Sequence, residues 1–118
     1  MPSGRDSSRL TPARAHGSTA QGPAVLLDVR ETHEWEAGHA PGALSMPLTL
    51  LMAGVPLPPT AQGRPVVLIC RSGNRSRRAV ETLADSGVEA TDVAGGLVAW
   101  AAEGLPVIDV HGDSGVVT

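Results

Sequence analysis

Cys70 is the single cysteine of the chain, and its neighbours give it chemical interest. It closes the apolar run Val66-Val67-Leu68-Ile69 and opens the loop Arg71-Ser72-Gly73-Asn74-Arg75-Ser76, after which a helical pattern begins. A loop in that position aims backbone N–H groups at the sulfur, and the helix N-terminus adds partial positive charge. Both favour thiolate over thiol, and thiolate is the reactive form. An isolated cysteine is more often an inert, buried small residue. The Gly/Arg/Ser loop tips the balance toward a nucleophile.

The charges around the thiol point the same way. All nine basic residues are arginines, and Arg71, Arg75, Arg77 and Arg78 cluster beside Cys70 although the chain carries a net charge of −3. Cations at the start of a helix oppose its macrodipole, so their presence suits an anionic ligand better than a merely solvated face. The negative total argues against a general nucleic-acid or membrane-surface binder. One cysteine forms no internal disulfide, so no oxidising compartment is implied. Neither a signal-peptide core nor an 18-residue apolar span is present, and the expected location is cytoplasmic.

The elements that must position Cys70 follow from apolar runs and breakers. At 118 residues, 42% of them hydrophobic and none Phe or Tyr, one domain with a modest aliphatic core is expected. Residues 1–9 read as a disordered or loosely held segment, 10–108 as the domain, and 109–118 as a tail. Thr11-Pro12 announces a helix that Gly17, Ser18 and Thr19 should interrupt. Ala24–Asp28 reads as a buried strand, Glu31–Ala37 as a helical turn anchored by Trp35, and Ala43–Met46 as a short strand. Leu48–Ala53 reads as a helical turn before a Pro/Gly-rich loop. Val66–Ile69 is the clearest strand. Ala79, Val80, Leu83 and Ala84 give Ser76–Ser86 helical spacing with Gly87 as its cap. Thr91–Val93, Gly96–Glu103 and Leu105–Val107 read as strand, helix and extended piece. Alternating strands and helices predict a mainly parallel sheet covered on both faces, with ligands beyond the strands' carboxyl ends, where Cys70 lies.

Three blocks carry a family resemblance. Leu27-Asp28-Val29-Arg30-Glu31, with Glu34-Trp35 and Gly38-His39-Ala40-Pro41-Gly42-Ala43, resembles the first signature of the single-domain rhodaneses, the thiosulfate sulfurtransferase-like family. Cys70 to Ser76 resembles their active-site loop. Gly95-Gly96-Leu97, Trp100 and Gly104-Leu105-Pro106-Val107 are similar to their closing segment. The resemblance implies an α/β, three-layer fold with a mainly parallel five-stranded sheet. It also implies a sulfurtransferase that carries sulfur as a Cys70 persulfide, with no separate cofactor. A small anionic donor such as thiosulfate would load Cys70, and cyanide, a thiol or a protein acceptor would unload it.

Cys70 is therefore the expected catalytic residue, with Arg71, Ser72, Gly73, Asn74, Arg75 and Ser76 around the substrate. Asp28, Arg30 and His39 read as structural support. No metal is expected, because His33, His39 and Cys70 match no zinc-ligand spacing. A persulfide carrier, or a binding module that serves a partner protein, needs much the same chain. The related phosphatases and arsenate reductases are less well matched. They place arginine six positions after the cysteine to grip a tetrahedral oxyanion; here that position is Ser76, and arginine falls one earlier, at Arg75.

Overall fold

A computed structural model describes residues 9–118. Its four parallel strands are β1 (Val25–Asp28), β2 (Leu44–Ser45), β3 (Val66–Ile69) and β4 (Ala90–Asp92), in the order β2-β1-β3-β4. The helices are α1 (Pro12–Ala20), α2 (Thr32–Ala37), α3 (Leu48–Met52), α4 (Asn74–Asp85) and α5 (Gly96–Ala102), with a 3₁₀ turn at Pro59–Ala61. β1 and β3 are buried at every position. This is why they read as continuous apolar runs rather than alternating ones: a parallel sheet has both faces covered.

Side-chain alternation divides the core in two. Leu26, Val67 and Ile69 face Ala15 of α1 and Leu97 and Trp100 of α5. Leu27, Val66, Leu68 and Cys70 face Leu48 and Leu51 of α3 and Ala79 and Leu83 of α4. The register sets Asp28 beside Ile69, and Leu68 beside Asp92. One edge of the sheet thus gathers Asp28, Cys70 and Asp92. It lies where chain order reverses between β1 and β3, the usual ligand position in such sheets.

The sheet has four strands where five were expected. Leu10 makes only a single parallel bridge with Val93, through Leu10 N–H to Asp92 O at 2.9 Å and Ala94 N–H to Leu10 O at 2.8 Å. Pro12 has no N–H to continue the ladder and instead begins α1, capped by the Thr11 hydroxyl. Leu105–Val107 is not a sheet strand either; the extended chain pairs with His39 at Ile108.

Other boundaries move in informative ways. α1 runs through Gly17 to Ala20, with the Ser18 and Thr19 hydroxyls donating to Ala15 O. In α2 the buried residue is Glu34; Trp35 is half-buried, packs against the core edge and stacks on His39. α4 starts at Asn74, two residues before the expected Ser76, because Gly73 turns the chain with φ +105°. The expectation for residues 1–9 falls outside the described residues except at Arg9, which pairs with Asp92. After 108 the chain folds back, with Gly115 N–H on Val107 O and Val116 N–H on Ala37 O.

α5 meets the Cys70 loop through backbone. Leu97 N–H donates to Cys70 O at 2.8 Å and Val98 N–H to Arg71 O at 3.0 Å. The approach requires Gly96, whose φ is +60° and where a Cβ would strike the carbonyl oxygens of Cys70 and Arg71. Gly96→Ala is expected to destabilise the fold by roughly 3 kcal/mol, read as a lowered denaturant midpoint. An unchanged midpoint would contradict this packing.

Candidate active site

Strand β3 delivers Cys70 to the carboxyl edge of the sheet with 1% of its surface exposed. Its Sγ accepts from Gly73 N–H at 3.1 Å and Ser76 N–H at 3.3 Å, and lies 3.5 Å from Ser76 Oγ. Two amide donors on one sulfur form a small anion-holding nest, and they sit at the first turn of α4, where the helix dipole is positive. The positive φ of Gly73 bends the loop into this shape, and a Cβ there would lie 2.6 Å from Arg9 Nη2.

The other expected site residues divide by place. Ser72 and Asn74 are exposed. Arg71 is exposed as well, and its Nε donates to the carbonyl of Thr118 at 3.0 Å. Ser76 is fully buried; its hydroxyl lies 3.2 Å from Gly73 O and 2.6 Å from Asp92 Oδ2. Arg75 is held by Glu34 of α2 in a two-pronged pair, Nη1 to Oε1 at 2.7 Å and Nη2 to Oε2 at 2.9 Å. Its guanidinium is not a free cation waiting for an anion.

That pair has a clear electrostatic signature. The Arg75 hydrogen bond lowers the Glu34 carboxyl from its ordinary 4.5 to about 2, against the opposing effect of burial. Glu34 in turn raises Arg75, with a smaller contribution from Cys70. Glu34 also closes a capping box with Glu31, its carboxylate accepting from Glu31 N–H at 3.0 Å. One side chain therefore ties the start of α2 to the start of α4.

Behind this pair, Asp28 and Arg30 are both fully buried and linked by three side-chain hydrogen bonds of 2.8–3.2 Å. Arg30 Nη2 also donates to Gly38 O, while Nη1 has no partner. His39 lies away from the sulfur's hydrogen bonds. Its Nδ1 is 2.8 Å from Trp35 O, and its ring stacks on Trp35 with centroids 3.6 Å apart. Among the described residues no group of three His, Cys, Asp or Glu is placed to hold a metal, and no helix is long and apolar enough to cross a membrane.

Sequence reasoning left Glu34, Asp92 and Arg9 without a role at the sulfur. Asp92 had a readable signal, an acid ending a strand at the same edge as Cys70. Arg9 had none, because its contact spans 83 residues of sequence.

The model of the rhodanese-like domain matches residues 11–103. The chain belongs to that family. It is 36% identical over 92 residues to a sulfurtransferase of Allochromatium vinosum, covering 75% of this chain and 81% of that protein. It is 34% identical over 93 residues to the adenylyltransferase and sulfurtransferase UBA4 of Yarrowia lipolytica, covering 79% of this chain and 23% of that one. An uncharacterized Synechocystis protein is 40% identical over 89 residues, 75% of this chain and 49% of the relative. The chain thus spans half or less of the length of several curated relatives it matches. Among solved structures, a rhodanese-related protein from Thermoplasma volcanium superposes with a TM-score of 0.73 at 29% identity, over 85% of this chain and 96% of that one. A Rhodopseudomonas palustris protein described as a possible tyrosine phosphatase gives 0.70 at 29% identity, with 87% of each chain covered.

The Glu34–Arg75 pair predicts a pH signature. Because Glu34 titrates lower in the folded chain than in the unfolded one, its stabilising contribution is complete above about 4.5 and is lost as pH falls toward 2. The stability gap between the wild type and Glu34→Gln should therefore be widest near neutral pH and vanish near pH 2. A gap independent of pH in denaturant melts would refute the assignment.

Proposed function

We propose that the chain moves sulfane sulfur from thiosulfate, or a donor of similar shape and charge, through a Cys70 persulfide to cyanide or a thiol acceptor. The observation that carries this reading is the buried Cys70 sulfur with the amides of Gly73 and Ser76 directed at it. Cys70 thiolate attacks the outer sulfur of thiosulfate, a new S–S bond forms, and sulfite leaves with the electrons of the broken bond. The persulfide's terminal sulfur carries the negative charge. The acceptor then attacks that sulfur, and Cys70 departs as thiolate. Each step is a displacement at divalent sulfur and needs only a nucleophile and fixed donors for the developing anion.

The spacing of the loop supports sulfur over phosphorus. Ser76 occupies the position at which a phosphatase loop carries its arginine, and Arg75, one position earlier, is paired with Glu34. No guanidinium is therefore presented across a tetrahedral oxyanion. Exposed Arg71, with Ser72 and Asn74 beside it, is left to meet the donor anion at the rim. A persulfide carrier serving a partner protein is the second reading, favoured by relatives that are adenylyltransferases and sulfurtransferases much longer than the matched segment.

Thiosulfate:cyanide turnover should vanish in Cys70→Ser, while that variant's thermal melt stays close to wild type. The wild type should not hydrolyse aryl phosphates. Phosphate release with thiosulfate ignored would overturn the reading, and substantial sulfur transfer by Cys70→Ser would remove its nucleophile. Loading of Cys70 without steady turnover would select the carrier.

Pairing of Arg75 adds a prediction of opposite signs. Arg75→Ala exposes the Glu34 carboxylate at the rim and should raise the KM for thiosulfate. Glu34→Gln frees the guanidinium and should lower it. Each change should be about three- to fivefold, the scale of a half-exposed ion pair, and each should shrink with added salt.

A further inference from the structure

Ser76 has three places to send its hydroxyl proton: Asp92 Oδ2 at 2.6 Å, Gly73 O at 3.2 Å, and Cys70 Sγ at 3.5 Å. A short bond to a carboxylate is stronger than a longer one to a carbonyl or to sulfur. The proton therefore points at Asp92, and a hydroxyl lone pair faces the sulfur. Asp92 is itself held from the other side. Arg9 donates through Nε to Oδ1 at 2.9 Å and through Nη2 to Oδ2 at 3.0 Å, and the same Nη2 donates to Gly73 O at 3.1 Å. The Asp92 side chain is 3% exposed and that of Arg9 20%.

We infer that Asp92, anchored by Arg9, is a positioning residue for the Cys70 loop: it fixes which way the Ser76 hydroxyl points and thereby what the sulfur meets. With the hydroxyl proton committed to Asp92, Sγ receives hydrogens from the Gly73 and Ser76 amides and faces a lone pair on its third side. That arrangement suits an Sγ without full negative charge, whether a thiol donating to Ser76 Oγ or the inner sulfur of a persulfide. It withholds a third hydrogen from a thiolate on Sγ, which keeps only the two amides. The chain Arg9–Asp92–Ser76 therefore biases the cysteine toward its sulfur-loaded form. Removing the carboxylate also removes its field at the sulfur, so the hydroxyl's part is the difference between backgrounds with and without Ser76. In this consequence, though not in its geometry, the inference rests on the sulfur-transfer reading above.

The test is a double-mutant cycle read by the rate of Cys70 alkylation with iodoacetamide at neutral pH, which needs no sulfur transfer. Asp92→Asn releases the hydroxyl to donate to sulfur, and alkylation should speed up by about threefold, a modest change of the kind that coupled neighbours show. In a Ser76→Ala background the same Asp92→Asn change should speed alkylation distinctly less, the remainder being the carboxylate's own field. An equal change in both backgrounds, or no change in either, would overturn the inference. If Asp92→Asn does not fold, Arg9→Met leaves an unneutralised carboxylate still holding the Ser76 hydroxyl, and alkylation should slow, more with Ser76 present than in Ser76→Ala; an equal slowing in both would overturn the inference. Intact-mass measurement of the persulfide fraction after thiosulfate should then show less loading in Asp92→Asn than in wild type. Equal loading with the alkylation pattern intact would reject the bias toward persulfide and leave the positioning role standing. Absence of loading in the wild type would count against the sulfur-transfer reading alone.

Discussion

A buried sulfur that accepts two backbone hydrogens is the constraint on which the rest of this molecule depends. Gly73 N–H and Ser76 N–H reach Sγ together only if the loop from Cys70 to Ser76 curls back over the end of β3. That curl needs a left-handed residue, supplied by Gly73, and it turns the carbonyls of Cys70 and Arg71 toward α5. The amides of Leu97 and Val98 accommodate those carbonyls, and Gly96 lets the backbones approach. A chain of local requirements therefore runs from the sulfur to a glycine 26 positions further along.

Three arginine–carboxylate pairs brace the same sheet edge. Asp28–Arg30 lies wholly inside, Glu34–Arg75 is half-buried at the rim, and Asp92–Arg9 closes the far side. Each serves a different mechanical end. The first stiffens the exit of β1 and holds Gly38 O; the second ties α2 to α4; the third ties the chain before α1 to the loop. Buried pairs of this kind contribute little net stability over apolar packing, but losing one partner leaves a charge stranded. Their value here is geometric. Arginine suits it better than lysine, because its planar fork holds both oxygens of a carboxylate at once.

Much of this was legible in the chain. β1 and β3 announce themselves because strands covered on both faces read as unbroken Val/Leu/Ile runs, and Cys70 is placed by the end of the second run. Apolar runs and breakers showed the order of elements, and the family blocks implied the layered α/β fold. The fifth strand that the resemblance implied shrinks to one bridge at Leu10, because Pro12, already legible as a helix start, has no N–H to extend it. Short-range rules failed where distant contacts decide. Arg75 looked like a free cation beside the thiol, but Glu34, 41 residues earlier, takes it. Trp35 looked like the core anchor of α2, yet the helix turns Glu34 inward because its carboxylate has Arg75 and the Glu31 amide to satisfy it. Arg9 carried no local cue at all. Pattern and propensity find the strands and the cysteine at the sheet edge, whereas the residues paired around it come from parts of the chain that only the fold brings together.

We propose Cys70 as the carrier of sulfur. Intact-mass spectrometry of the protein after brief exposure to thiosulfate, with the adduct mapped by peptide fragmentation, tests it most directly. One added sulfur on Cys70 that disappears on addition of cyanide or a small thiol is the expected result. A mass unchanged by thiosulfate, with the Cys70 thiol still free to alkylate, would contradict it.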